Sequence, residues 1–226
     1  MIDWFPSTAL ESADADPARG LARWHGVLNL RRVARALDAK HPATTGHSER
    51  VAELAGRIAM DLGWLDWRVD QLREAGRVHD VGKVCIPEPV LMTPGPLTPG
   101  EYEVVKTHAA LGAQVVATVL SRRQVSWVRH HHERWDGRGY PDGLREEEIP
   151  EGAAILAVAD AWDAMTHRAW AGEALDDAEA VEECRRESGA QFAPWAVTAL
   201  ERVVGGLPPE LAGVRAIAPL QLIPAA

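Results

Sequence analysis

Residues 47–62 read His47-Ser48-Glu49-Arg50-Val51-Ala52-Glu53-Leu54-Ala55-Gly56-Arg57-Ile58-Ala59-Met60-Asp61-Leu62. Val51, Leu54, Ala55, Ile58, Ala59 and Leu62 recur at i, i+3, i+4, i+7, i+8 and i+11, the spacing of one buried helix face. Gly63 supplies a stop. His47 lies four residues before Val51, so a histidine heads the apolar stripe.

The same period continues on both sides. A second helix is predicted over Asp66–His79, with Gly82 behind it as a stop. Residues 84–100 carry five prolines and two glycines and read as a loop. Thr98 and Glu101 form a capping-box pattern that opens a helix over about 99–120. Another helix is predicted over 122–133, then a glycine-rich loop over 136–152, then helices near 152–166, 176–188 and 194–204. Helical spacing begins near residue 21, and residues 1–20 show no sustained period. The expected organisation is an N-terminal extension (1–20), an all-α domain (21–204) and a C-terminal extension (205–226). Two long loops inside a compact domain point to function rather than idle connection.

Composition narrows the functional classes. A chain of 226 residues fits one domain with short extensions. The net charge of −9 argues against a broad nucleic-acid footprint, yet leaves room for a nucleotide in a local pocket. No run of 18 apolar residues and no signal-peptide pattern is found, so the expected location is the cytoplasm, with no membrane partner. The two cysteines, Cys85 and Cys184, make no disulfide framework. Nine tryptophans are many for this length and are expected mostly in the core.

His108, His132 and Asp160 also fall on apolar faces: His108 three after Val105, His132 four after Val128, Asp160 four after Leu156. Polar groups on core-facing positions are costly unless paired or metal-bound. Any one of these histidines, taken alone, reads best as an ordinary buried residue. Together with the pairs His79-Asp80 and His131-His132 they make seven nitrogen and carboxylate donors, more than one four-coordinate ion needs. The set points to at least two metal ions built between helices. Asp80 has two oxygens and is the candidate bridge.

His79-Asp80-Val81-Gly82-Lys83 resembles the signature of the HD metal-dependent phosphohydrolases. His131-His132-Glu133, continued by Asp136-Gly137-Arg138-Gly139-Tyr140-Pro141, is similar to the longer motif of their HD-GYP subfamily. The likeness covers about residues 40–200 and extends to Gly46–Val51, Leu97-Thr98, Glu101, His108, Ile155–Ala161 and Gln191-Phe192. It implies an HD-domain helical bundle with the GYP loop inserted. It also implies a phosphodiesterase that opens cyclic di-GMP to the linear dinucleotide and, in some members, to GMP. Carried over by position, one metal takes His47, His79, Asp80 and Asp160, and the other takes Asp80, His108, His131 and His132. Two divalent ions are implied, iron or manganese foremost and zinc as an alternative. Asp80 and Lys83 become catalytic candidates. Lys83, Arg168, Gly137, Gly139 and Tyr140 become substrate-contact candidates, and the GYP loop a surface for signalling partners. A homodimer is compatible with this reading.

Alternatives stay open at several positions. Lys83 could instead be a solvated cation at a helix C-terminus. Gly137 and Gly139 could serve a tight turn alone, and Tyr140 could serve packing. The third-metal carboxylate position of some family members is Ala43 here. The family's basic run after Asp160 is altered: its arginine positions fall on Ala169 and Gly172, with Arg168 adjacent. Each lost arginine–phosphate bond removes on the order of 1.5–3 kcal/mol. A different phosphate-ester substrate, or a signalling module without turnover, is therefore the competing reading. Cys85 stands for a glycine and is expected to be small and buried, and Ala193 replaces a helix-capping aspartate. His130 is expected toward solvent or around the site, and His167 at the pocket mouth.

Overall fold

A computed structural model describes residues 17–40, 44–93, 95–167 and 174–205, with side chains from Gly20 onward. The described elements are α1 (Pro17–Asp38), α2 (His47–Asp61), α3 (Asp66–Val78), a 3-10 turn (Val81–Cys85), a short α4 (Glu88–Leu91), α5 (Pro99–Val116), α6 (Arg122–His130), a 3-10 turn (Glu146–Glu148), α7 (Glu151–His167), α8 (Asp177–Arg186) and α9 (Pro194–Gly205). No β-strand forms among the described residues, where Ser188 and Phe192 make an isolated bridge. The all-α expectation is borne out. Ala43, Arg168, Ala169 and Gly172 lie outside the described residues.

Helix α2 is the central element, and its predicted stripe is its buried face. Val51, Ala55, Ile58 and Ala59 are fully enclosed between Leu72 of α3, Leu156 of α7 and Leu200 of α9. Each large apolar side chain buried this way contributes about 1.5–3 kcal/mol. The predicted capping box at α5 is present: Thr98 Oγ1 accepts from the Glu101 amide at 3.3 Å and Glu101 Oε2 from the Thr98 amide at 2.8 Å, with Pro99 at the first helical position.

Three boundaries differ from the sequence reading. Helix α1 already starts at Pro17, inside the segment expected to be an extension and about one turn before the helical spacing begins; proline suits a first helical turn. The stretch 84–100 contains the end of a 3-10 turn and α4 rather than loop alone. Helix α6 ends at His130, not near 133, because the chain turns away: the Glu133 amide returns to the His130 carbonyl at 3.0 Å. Trp135 and Asp136 then donate to the Gln191 and Ala190 carbonyls at 3.2 and 2.9 Å. Cys85 is exposed rather than buried, because it ends the Val81–Cys85 turn facing outward.

One close approach sets the geometry of the site. A Cβ on Gly82 would lie 2.0 Å from the His108 carbonyl oxygen and 2.5 Å from the Gly112 nitrogen. Only glycine lets the 3-10 turn pack on α5 at this depth. That contact puts Asp80 beside His108.

Candidate metal centre

The structure brings the seven sequence-chosen donors together. Asp80, His108, His131 and His132 offer ligand atoms within 4.8 Å of one another, and so do His47, His79 and Asp80. His47 opens α2, His79 caps the end of α3, His108 lies within α5, His131 caps the end of α6 and Asp160 lies in α7. His47, His79, His108 and His131 are each no more than 1% exposed. His132, just past the helix end, is partly buried.

Asp80 stands between the two groups. Its Oδ2 faces His79 Nε2 at 3.4 Å and His47 Nε2 at 3.9 Å. Its Oδ1 faces His108 Nε2 at 3.2 Å and His131 Nε2 at 3.9 Å. Asp160 Oδ1 lies 3.2 Å from His47 Nε2 and 4.0 Å from His79 Nε2. Two donors about 2.1 Å from one ion, at tetrahedral or octahedral angles, lie roughly 3.0–3.5 Å apart. The separations therefore fit ligand-to-ligand spacing, with slight contraction, on both sides of Asp80.

Hydrogen bonding fixes which ring nitrogen faces inward. His79 Nδ1 donates to the Gly76 carbonyl at 2.8 Å, His108 Nδ1 to the Val105 carbonyl at 2.7 Å and His131 Nδ1 to the Val128 carbonyl at 2.6 Å. A carbonyl accepts and cannot donate, so each Nδ1 carries the proton and each Nε2 is left for the centre. Each partner is the carbonyl three residues earlier, a reach that a helix or its last turn provides. His79, His108 and His131 Nε2, with Asp80 Oδ1 and Asp160 Oδ1, are buried and have no hydrogen-bond partner among the described residues. Buried polar atoms are seldom left so. Five such atoms converging on one place fit a divalent metal site.

The electrostatics agree. Burial alone would raise the Asp80 carboxyl, but Lys83, His79 and His108 hold it well below the ordinary range. Burial likewise opposes Asp160, and His47 and His79 hold it well below. Burial, with His132, His79 and His108 around it, pushes His131 well below its ordinary value. Burial and His108 lower His132 to about 3. The carboxylates are charged and these two imidazoles neutral, the forms that bind metals.

Lys83 hydrogen-bonds Asp80 Oδ2, so it is a partner of the cluster rather than a solvated helix-end cation. The GYP loop closes one side. The Tyr140 amide donates to the His132 carbonyl at 3.2 Å, and the Tyr140 ring lies 4.9 Å from the His132 ring, tilted by 32°. Burial raises the Tyr140 phenol pKa. A Cβ on Gly139 would lie 2.3 Å from the Arg134 nitrogen and 2.5 Å from Glu133 Cα, so Gly139 has a steric reason of its own. Gly137 turns at φ +77°.

Sequence reasoning gave no role to three residues here, Asp163, Arg50 and Glu133. Asp163 is 1% exposed. Its carboxylate accepts from His47 Nδ1 at 2.7 Å and from Arg50 Nε and Nη2 at 2.6 and 3.0 Å. Burial opposes its charge, and His47 and Arg50 still hold the carboxyl below its ordinary value. Asp163 thus orients His47, with Arg50 behind it. Its position three after Asp160, on one face of α7, was the available signal. Glu133 is 3% exposed and accepts from the Asp142 and Gly143 amides at 2.8 and 3.1 Å, fastening the GYP loop. His130 Nε2 meets Asp142 Oδ2 at 2.8 Å, and His167 Nδ1 lies 3.2 Å from Asp163 Oδ1.

The family profile described as HD domain matches residues 31–194. The chain belongs to the HD domain family. The resemblance read from His79–Lys83 is thereby borne out, and the His131–Pro141 stretch carries the HD-GYP motif. This HD domain is 40% identical over 159 residues to a cyclic di-GMP phosphodiesterase of Thermotoga maritima, covering 69% of the chain and 43% of that protein. It is 33% identical over 173 residues to a 3'3'-cGAMP-specific phosphodiesterase 2 of Vibrio cholerae, covering 74% of the chain and 33% of that protein. The chain thus spans less than half the length of these relatives. The solved structure of Bd1817, an HD-GYP-type protein of Bdellovibrio bacteriovorus, superposes with a TM-score of 0.61 at 21% identity, over 84% of this chain and 64% of that one. Among the described residues no helix of the HD domain is long and apolar enough to cross a membrane.

Proposed function

We propose that this HD domain is a metal-dependent phosphodiesterase of cyclic dinucleotides, with cyclic di-GMP as the first substrate. The observation that carries the proposal is the division of Asp80, one oxygen facing His47 and His79 and the other facing His108 and His131. A carboxylate so placed could serve two ions. His47, His79, Asp80 and Asp160 would hold one; Asp80, His108, His131 and His132 the other. Imidazole and carboxylate donors admit iron, manganese and zinc, and the HD-GYP resemblance favours iron or manganese. Bound divalent ions supply Lewis-acid polarisation of a phosphoryl oxygen and lower the pKa of water.

The chain's own residues do the rest. Asp80 and Asp160 offset part of the ionic charge and leave the centre net positive, so an anionic diester is attracted within an acidic protein. Lys83, on Asp80 Oδ2, stands where it can donate to a phosphoryl oxygen or a leaving alkoxide as charge builds there. Asp163 holds His47 to one tautomer. Tyr140 covers His132 and restricts water on that side. The exposed loop around Arg138 is the surface offered to signalling partners. A hybrid substrate, 3'3'-cGAMP, is the second reading, favoured by the likeness to the Vibrio protein.

The test is anaerobic purification, loading with manganese or iron, and assay of cyclic di-GMP, 3'3'-cGAMP and bis(p-nitrophenyl) phosphate. Linear dinucleotide from cyclic di-GMP supports the proposal. Turnover of the small ester alone redirects it to another phosphodiester, and no turnover of any of the three rejects enzymatic function.

A further inference from the structure

A row of rings leads out of the cluster. His108 and His132 have ring centroids 4.9 Å apart, Tyr140 lies 4.9 Å beyond His132, and Tyr102 lies 6.5 Å from Tyr140, edge-on at 85°. Exposure rises along the row, from 1% at His108 to 49% at Tyr102. Lys106, one turn along α5 from Tyr102, sets its ammonium over one face of the Tyr102 ring, 5.4 Å from the centroid, and 2.7 Å from Glu103 Oε1, which leaves the opposite face of the ring for a base. The first accessible aromatic face outside the centre is therefore flanked by a cation and a carboxylate.

Chemistry limits what such a ledge is for. A phosphodiester held at the histidines carries its base one sugar away, so the base lands beside the cluster and not within it. Aromatic side chains stack bases whatever their sequence, while a lysine ammonium seeks the paired acceptors O6 and N7 of guanine. Adenine offers N7 beside an amino donor, a poorer match for a cation. Glu103 adds an acceptor for guanine's imino and amino hydrogens.

We infer that Tyr102 and Lys106 form a specificity-determining contact for a guanine base of the substrate whose phosphodiester lies at the His/Asp cluster. The inference rests on the phosphodiesterase reading and deepens it by naming where the base is read.

The test compares the metal-loaded full chain with Tyr102→Ala, Tyr102→Trp and Lys106→Gln. The substrates are cyclic di-GMP, cyclic di-AMP and the base-free ester bis(p-nitrophenyl) phosphate. Stacking on one base predicts that Tyr102→Ala lowers kcat/KM for cyclic di-GMP roughly 10-fold more than for the base-free ester. The loss falls on KM, and Tyr102→Trp restores it. Lys106→Gln narrows the preference for cyclic di-GMP over cyclic di-AMP by roughly 5- to 10-fold. Equal losses on ester and dinucleotide, or wild-type KM for cyclic di-GMP in both Tyr102→Ala and Lys106→Gln, overturn the inference while the phosphodiesterase reading stands. Wild-type turnover of the ester with none of any cyclic dinucleotide overturns both, and is seen before any variant is made.

Discussion

Replacing Asp163 with asparagine probes how the centre is held without touching a proposed ligand. The carboxylate is 1% exposed and accepts three hydrogen bonds, from His47 Nδ1 at 2.7 Å and from Arg50 at 2.6 and 3.0 Å. Asparagine keeps the shape but has one acceptor oxygen and one donor amide. With the amide toward Arg50, donors face donors. With the amide toward His47, the ring must carry its proton on Nε2, aimed at the cluster. Either way at least one charge-assisted bond is lost, on the order of 1.5–3 kcal/mol. Loss of an orienting partner of this kind weakens metal affinity by about 10- to 100-fold, which is roughly 1.4–2.8 kcal/mol. Asp163→Asn should therefore lower the affinity of the His47 side by that factor and leave the His108–His131 side nearly as tight. Manganese titration against a competing chelator resolves the two steps. Two steps with wild-type affinities, in a variant that melts as the wild type does, would refute the role given to Asp163.

Other consequences follow from single contacts. Lys83→Met removes the donor beside Asp80 and should reduce kcat on cyclic di-GMP by about 10²-fold or more with both ions retained; an unchanged kcat excludes Lys83 from charge stabilisation. Gly139→Ala forces a Cβ to 2.3 Å from the Arg134 nitrogen, so the backbone must move, at about 1–3 kcal/mol in a thermal melt. A melting temperature equal to the wild type's would remove the steric reason for that glycine. His132 has its folded-state pKa lowered to about 3, so between that value and about 6.5 the unfolded chain binds the extra proton. Stability of the metal-free protein must then rise with pH across this window, and His132 alone makes about 2 kcal/mol of difference between pH 5 and pH 7. His132→Gln should flatten the slope in denaturant titrations, and an identical slope would contradict the shift.

The sequence was most legible where burial is periodic. The stripe from Val51 to Leu62 located the C-terminal end of α2 to within about a residue, since one helix face meets the core throughout. The Thr98 capping box located the start of α5, which ends at Val116 rather than near 120. Ends set by distant backbone were hidden: His131 to Asp136 leave the helix toward carbonyls of residues 190 and 191, which no local pattern announces. The start of α1 at Pro17 lies about one turn before the helical spacing that begins near residue 21. Four of the seven donors, His47, His108, His132 and Asp160, were readable because polar groups on apolar faces demand partners, and His79, Asp80 and His131 came with the adjacent pairs. Asp163 escaped because its partners, His47 and Arg50, are more than a hundred residues away in sequence. The segment from Arg168 to Gly172, which carries the altered basic run, lies outside the described residues, and the proposed base contact is at Tyr102 and Lys106 instead.

The central claim is a two-ion centre shared through Asp80. Its most direct test is the number of divalent ions per chain in anaerobically purified wild type and in Asp80→Ala. The account predicts about two in the wild type and at most one, weakly held, in the variant. No bound ion in the wild type, or two tightly held ions in Asp80→Ala, would contradict it.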